Sequence, residues 1–85
     1  MYKELAIDKE IEVVNTIREL QKYVFTSINS MMECIEENTK EYSKFLGYMM
    51  GNNYDEIVIM WENMTANVLF KRENEHTYRI IFAYL

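Results

Sequence analysis

The longest regular pattern of apolar positions runs from Asp8 to Glu37. Apolar side chains recur there at steps of three and four residues: Ile7, Ile11, Val14, Ile17, Leu20, Val24, Ile28, Met31 and Ile35. This spacing places them on one face of an α-helix. We therefore expect a long N-terminal helix of about 45 Å, with Asp8 as its N-cap. Because so long a helix exceeds what a small globule can cover, it should either break near Ser27–Ser30 or pack against a second chain.

Two shorter apolar segments follow this helix. Asn38 and Glu41 have the spacing of a capping box, and Gly51 is a natural end for a second helix. The apolar face of that helix would consist of Tyr42, Phe45, Leu46 and Met49. Residues 53–64 also have helical spacing, although the run Ile57–Trp61 has high strand propensity. We favour a third, short helix for this segment over a strand.

The last twenty residues have a different character. Val68–Phe70 and Tyr78–Phe82 are rich in β-branched and aromatic side chains, and the polar run Lys71–Thr77 separates them. This pattern predicts an antiparallel β-hairpin with its turn at Glu73–His76. The apolar end of the chain, Ile80–Leu85, predicts an ordered element that is packed into the core or across an interface.

The expected fold is therefore α+β and mainly helical, with a long N-terminal helix, one or two shorter helices and a C-terminal antiparallel hairpin. An all-α bundle is the alternative. The chain has 85 residues, no proline and only two glycines. That length predicts one domain spanning residues 1–85, and the scarcity of turn residues favours helices.

Composition limits the compartment and the possible partners. We expect neither a signal peptide nor a membrane span, because no apolar run approaches about 18 residues. Cys34 is the only cysteine, so no internal disulfide is possible and a reducing cytoplasm is the expected location. The net charge of −5 argues against binding to nucleic acid or to an anionic membrane, since phosphate binding needs a positive field.

We find no catalytic or metal-binding pattern. His76 is the only histidine, and no nucleophile accompanies it at a recognisable spacing. The acidic neighbours of Cys34 disfavour a reactive thiolate. No zinc, calcium or di-iron ligand spacing is present, and two glycines cannot form a phosphate-binding loop. We expect no enzyme activity, no cofactor and no metal.

The candidate binding residues are four glutamates that lie close together in the sequence: Glu33, Glu36, Glu37 and Glu41. Like charges one helical turn apart repel each other, and acids at a helix C-terminus oppose its dipole. The cluster is therefore unfavourable for folding whether the helix continues or ends there. This predicts either a contact for a basic partner surface or an ordinary solvated face.

The function that we expect is that of a small acidic interaction protein without enzyme activity, which binds and inhibits or regulates a protein partner. That partner would present a basic surface, such as its own nucleic-acid-binding face. Small phage or bacterial inhibitors are similar in composition, which is an analogy and not kinship. One alternative is a homodimeric structural module built on the N-terminal helix. Another is an RNA-binding hairpin that uses Lys71, Arg72 and Arg79.

Overall fold

The computed structural model describes residues 2–51 and 55–85 of the chain, and the side chains of residues 9–51 and 55–85. Two helices precede a four-stranded antiparallel sheet of order β1-β2-β3-β4. The elements are α1 (Tyr2–Glu19) with a 3-10 turn (Leu20–Lys22), α2 (Ile28–Thr39), β1 (Phe45–Met50), β2 (Glu56–Trp61), β3 (Thr65–Asn74) and β4 (Thr77–Tyr84).

The core lies between the two helices and one face of the sheet, which we call the inner face. Strand β2 and residues 65–70 of β3 alternate buried and less buried residues, as expected where one face is packed, and residues 71–74 of β3 are exposed. The buried strand residues are Ile57, Ile59, Trp61, Ala66, Val68, Phe70, Ile80 and Ala83. The helices contribute Val13, Val14, Ile17, Leu20, Met31, Met32 and Ile35.

The expected long N-terminal helix is wrong. Helix α1 begins at Tyr2, ahead of Asp8, so Asp8 is not its N-cap. The chain becomes extended at Tyr23, and the backbone of Phe25 exchanges two hydrogen bonds with Tyr78, of 2.8 and 2.7 Å. Ser27 then caps α2 in a reciprocal capping box with Ser30. The alternative of a break near Ser27–Ser30 is thus confirmed, because pairing with β4 and a strong cap outweigh continuation of the helix.

The second and third predicted helices are also wrong. Asn38 lies inside α2, where its side chain donates a hydrogen bond to the Cys34 carbonyl at 2.7 Å. The segments expected to be helical form β1 and β2 instead; Asn53 and Tyr54 lie outside the described residues. The fold is therefore not mainly helical, and the all-α alternative is wrong as well.

The predicted C-terminal hairpin is confirmed. Strands β3 and β4 pair in antiparallel fashion, and Asn74 and Thr77 flank the turn. The apolar chain end is ordered as part of β4, but only Ile80 and Ala83 are buried in the core, and the other four residues of 80–85 are exposed.

The outer edge of β4 is covered by the segment that joins the two helices. Arg18 Nε donates to the Ala83 carbonyl at 3.0 Å. The Gln21 amide donates to the Ile81 carbonyl, and Phe25 pairs with Tyr78. This edge is therefore closed to another strand, as natural sheets require of exposed edges.

Candidate interaction surfaces

Three of the four predicted glutamates lie together on the exposed side of α2. Glu33, Glu36 and Glu37 line a shallow depression of about 520 Å³, together with Lys40, Lys44 and Phe45. Glu41 is exposed in the turn after α2 and does not line this depression. We call Glu33, Glu36 and Glu37 the acidic surface of α2.

Lys40 and Lys44 also line this depression and offset part of the negative charge of the glutamates. Lys40 Nζ lies 2.7 Å from Glu37 Oε1, in a pair that is largely exposed on both sides. The hydrogen bond and the charge of Glu37 raise the pKa of Lys40. Exposed pairs of this kind contribute little to stability because water and salt screen them. In the described part of the chain, Glu33 and Glu36 form no ion pair.

Neither Cys34 nor His76, the two candidates for a reactive side chain, has the surroundings that activate a catalytic group. Cys34 is partly buried, and burial raises the pKa of its thiol, although a hydrogen bond from Asn38 opposes the shift. His76 is exposed in the β3–β4 turn, where its backbone N–H donates to Asn74 Oδ1 at 2.9 Å. Among the described residues, no group of three or more histidine, cysteine, aspartate or glutamate side chains is placed to hold a metal ion.

The two arginines of the hairpin make contacts within the chain, whereas Lys71 is exposed. Arg79 Nε lies 2.9 Å from Glu73 Oε1, and the Arg72 guanidinium lies 5.8 Å from the centroid of the Tyr78 ring. Phe70 is buried in the core. Single-strand binding uses exposed aromatic rings on which bases stack, and Phe70 cannot serve in that way.

A further surface, which was not predicted from the sequence, lies on the side of the sheet that the helices leave uncovered. Residues paired across antiparallel strands share a face, so the register defines three rows on this side. The rows are Gly47–Met60–Thr65, Met49–Val58–Asn67–Tyr84 and Glu56–Leu69–Phe82. We call these residues the outer sheet face.

The outer sheet face is largely apolar and open to solvent. Met49 is 56% exposed, Phe82 41% and Tyr84 36%. The rings of Phe82 and Tyr84 stack with centroids 6.4 Å apart. Glu56 is the one charged side chain in the three rows, and its Oε2 accepts a hydrogen bond from the Tyr84 hydroxyl at 3.2 Å. Apolar patches that span a whole sheet commonly mark interaction sites.

No protein-family model matches this chain, and neither a curated protein nor a solved structure matches it. Neither helix of the described residues is long and apolar enough to cross a lipid bilayer. The candidate sites therefore depend on the geometry of the chain itself.

Proposed function

We propose that this protein acts by binding another protein and carries out no reaction of its own. The observation that carries the proposal is the outer sheet face, where apolar side chains of β1 and β4 are exposed and those of β2 and β3 are half-buried. A sheet normally buries its apolar side chains against another layer. Here the helices cover one face, and the other face has the composition of a buried layer without a covering element.

The side chains of this face favour binding over simple exposure. Met49 and Met60 are flexible and adapt to different partner shapes, and the stacked rings of Phe82 and Tyr84 offer large, rigid contact areas. The charged residue of the face, Glu56, already has a hydrogen-bond partner in Tyr84. Covering this surface removes apolar area from water, and the partner must supply polar contacts for Glu56, Thr65 and Asn67.

Oxidation footprinting tests the proposal at the level of single side chains. Met49 lies on the outer sheet face, whereas its neighbour Met50 is also exposed but belongs to an inner-face row, opposite Ile57. In dilute solution, peroxide should oxidise both methionines. In an extract of the native host, we expect the rate at Met49 to fall while the rate at Met50 stays the same. Binding through this face would be refuted if Met49 is oxidised at the same rate in buffer and in extract and if that rate does not change with protein concentration.

A second candidate surface is the acidic surface of α2, through which the protein would inhibit or regulate a partner with a basic surface. The grouping of Glu33, Glu36 and Glu37 around one depression favours it. This surface packs on no other part of the described chain, and α2 covers the inner face of the sheet. The acidic contact and the outer sheet face therefore lie on different sides and do not exclude each other.

We propose a reducing cytoplasm as the compartment, since a single cysteine can form no internal disulfide. An RNA-binding hairpin is the less favoured alternative, because Arg79 pairs with Glu73 and the Phe70 ring is buried.

A further inference from the structure

We propose that the outer sheet face is covered by the same face of a second copy of this chain. The result is a two-fold symmetric dimer in which two sheets pack together and the helices lie outside. The inference rests on the proposed function, because it names the partner of the surface described there. It also moves the expected dimer interface away from the N-terminal helix, where Val14 and Ile17 of the apolar stripe are buried within their own chain.

The size of the surface suits a weak dimer. Its ten positions, with strands about 4.8 Å apart and rows about 7 Å apart, give a flat footprint of roughly 340 Å². This is well below the roughly 800 Å² per partner of a standard interface, so we expect a dimer that forms only at high concentration. Two such sheets would pack about 10 Å apart with their strands nearly aligned.

The distribution of charge favours this face over others for self-association. The chain carries a net charge of −5, so two copies repel each other unless their acidic surfaces stay apart. The outer sheet face carries Glu56, and the Arg18 guanidinium lies 4.3 Å from the centroid of its Phe82 ring, so its charges are of opposite sign. By contrast, α2 exposes Glu33, Glu36 and Glu37. A face-to-face dimer keeps these acidic surfaces at opposite ends, separated by both sheets.

Gly47 provides an independent observation. It lies in β1 on the outer sheet face, opposite Met60. Its backbone does not have the positive φ that favours glycine, and a Cβ added there would meet nothing within 4 Å. Gly47 also lies at the register shift of β1, between Phe45 and Gly47, where a glycine is common. Without a side chain at this position, this part of the outer sheet face is flat and allows the close approach of another sheet.

A second sheet fits this surface better than a helix or a peptide does. Two depressions in the described residues are lined from the helices, their connections and the start of β1, and neither includes a residue of the three rows. Peptides that add to a sheet pair with a free edge and not with a face. Because the β4 edge is closed by Arg18, Gln21 and Phe25, such a peptide would pair with β1 and leave the outer sheet face uncovered.

Sedimentation velocity over micromolar to hundreds of micromolar concentrations tests the dimer. The test variant is Leu69→Lys, in the middle of the face, where Glu56 is the cross-strand neighbour of the new ammonium group and supports the fold. Ile11→Lys is the matched control, since Ile11 is 45% exposed on α1. We expect the wild type and the control to form dimers. Leu69→Lys should raise the dissociation constant of the dimer about tenfold or more.

A second variant separates binding from folding. Gly47→Thr should raise the melting temperature of the dilute monomer, because threonine suits a strand. It should also weaken the dimer, because its side chain obstructs the partner. A purely structural role for Gly47 would not produce these opposite effects.

Three results would contradict the proposal that a second copy of this chain covers the outer sheet face. They are a monomeric wild type throughout the range, a dimer broken by Ile11→Lys but not by Leu69→Lys, and a dimer that Gly47→Thr leaves unchanged. If the wild type is monomeric and Met49 is protected only in host extract, the proposed function stands with a different protein as partner. If Met49 is protected in neither condition, both proposals fail.

Discussion

At the scale of single residues, Thr39 and Trp61 form a buried polar link between α2 and the sheet. The indole Nε1 of Trp61 donates to Thr39 Oγ1 at 3.1 Å, and the same hydroxyl donates to the Ile35 carbonyl at 2.7 Å. Both side chains are almost fully buried. A buried donor that loses its acceptor keeps the cost of leaving water. The pair therefore fixes α2 at one position over the inner face.

The variant Thr39→Val should destabilise the fold. Valine has a similar shape but leaves the Trp61 N–H without an acceptor, so we expect a loss of about 1–3 kcal/mol in the free energy of unfolding. Urea denaturation measures it. The exposed Thr26 is the control, where the same change should alter stability by less than about 0.5 kcal/mol. Equally small effects at both positions would show that the link contributes little.

The acidic surface of α2 can be tested with two variants that have the same net charge as each other. The double variant Glu33→Lys/Glu37→Lys removes the predicted contact, and Glu12→Lys/Glu19→Lys makes the same charge change on the exposed side of α1. Binding to a basic probe protein such as cytochrome c at low salt should fall about tenfold or more for the α2 variant. The α1 variant should lose much less. An equal loss for the two variants would mean that net charge alone governs binding.

At the scale of elements, the hairpin and the middle of the chain show what the sequence could predict. The hairpin was predictable because a polar turn separates two runs of strand-forming residues, and those signals are local. The break after α1 depends on the pairing of Phe25 with Tyr78, which are far apart in sequence. Local periodicity cannot report such a contact, so the helical stripe was read as continuous.

Strand β2 was mistaken for a helix for a reason that bears on function. Ile57, Ile59 and Trp61 point to the inner face, and Val58 and Met60 lie between them on the outer sheet face. Because both faces carry apolar side chains, β2 lacks the alternation of apolar and polar residues that identifies a half-buried strand. The apolar residues Val58 and Met60, which belong to the candidate site, are therefore also the reason why the strand was predicted as a helix. The acidic residues were found from the sequence because they are close together in it, whereas the outer sheet face becomes visible only once the register is known.

Removal of β4 tests the packing of the C-terminal element. Deleting residues 80–85 takes away the buried Ile80 and Ala83 and exposes the edge of β3. Burial of one large apolar side chain contributes about 1.5–3 kcal/mol, which is a large share of the stability of a small domain. Circular dichroism and light scattering should show an unfolded or aggregated protein. Deletion of the exposed Leu85 alone is the control and should leave the melting temperature unchanged; the same result for the longer deletion would contradict this role for β4.

At the scale of the whole molecule, the two sides have different characters. The helices present an acidic surface on one side, and the sheet presents apolar side chains on the other. Joining two copies through their sheets gives a layered helix–sheet–sheet–helix assembly, which buries the apolar side and leaves both acidic surfaces accessible. The dimer would thus display two copies of α2 to a basic partner, and two linked sites bind more tightly than one when both can engage.

The most direct test of the central claim is the rate at which peroxide oxidises Met49 in the purified protein as its concentration rises, measured by mass spectrometry. Met50, which is exposed beside it in β1 but belongs to an inner-face row, serves as the internal reference. We predict that oxidation of Met49 slows relative to Met50 as dimers form, and that Leu69→Lys abolishes this slowing. A ratio that stays constant at all concentrations would contradict coverage of the outer sheet face by a second copy.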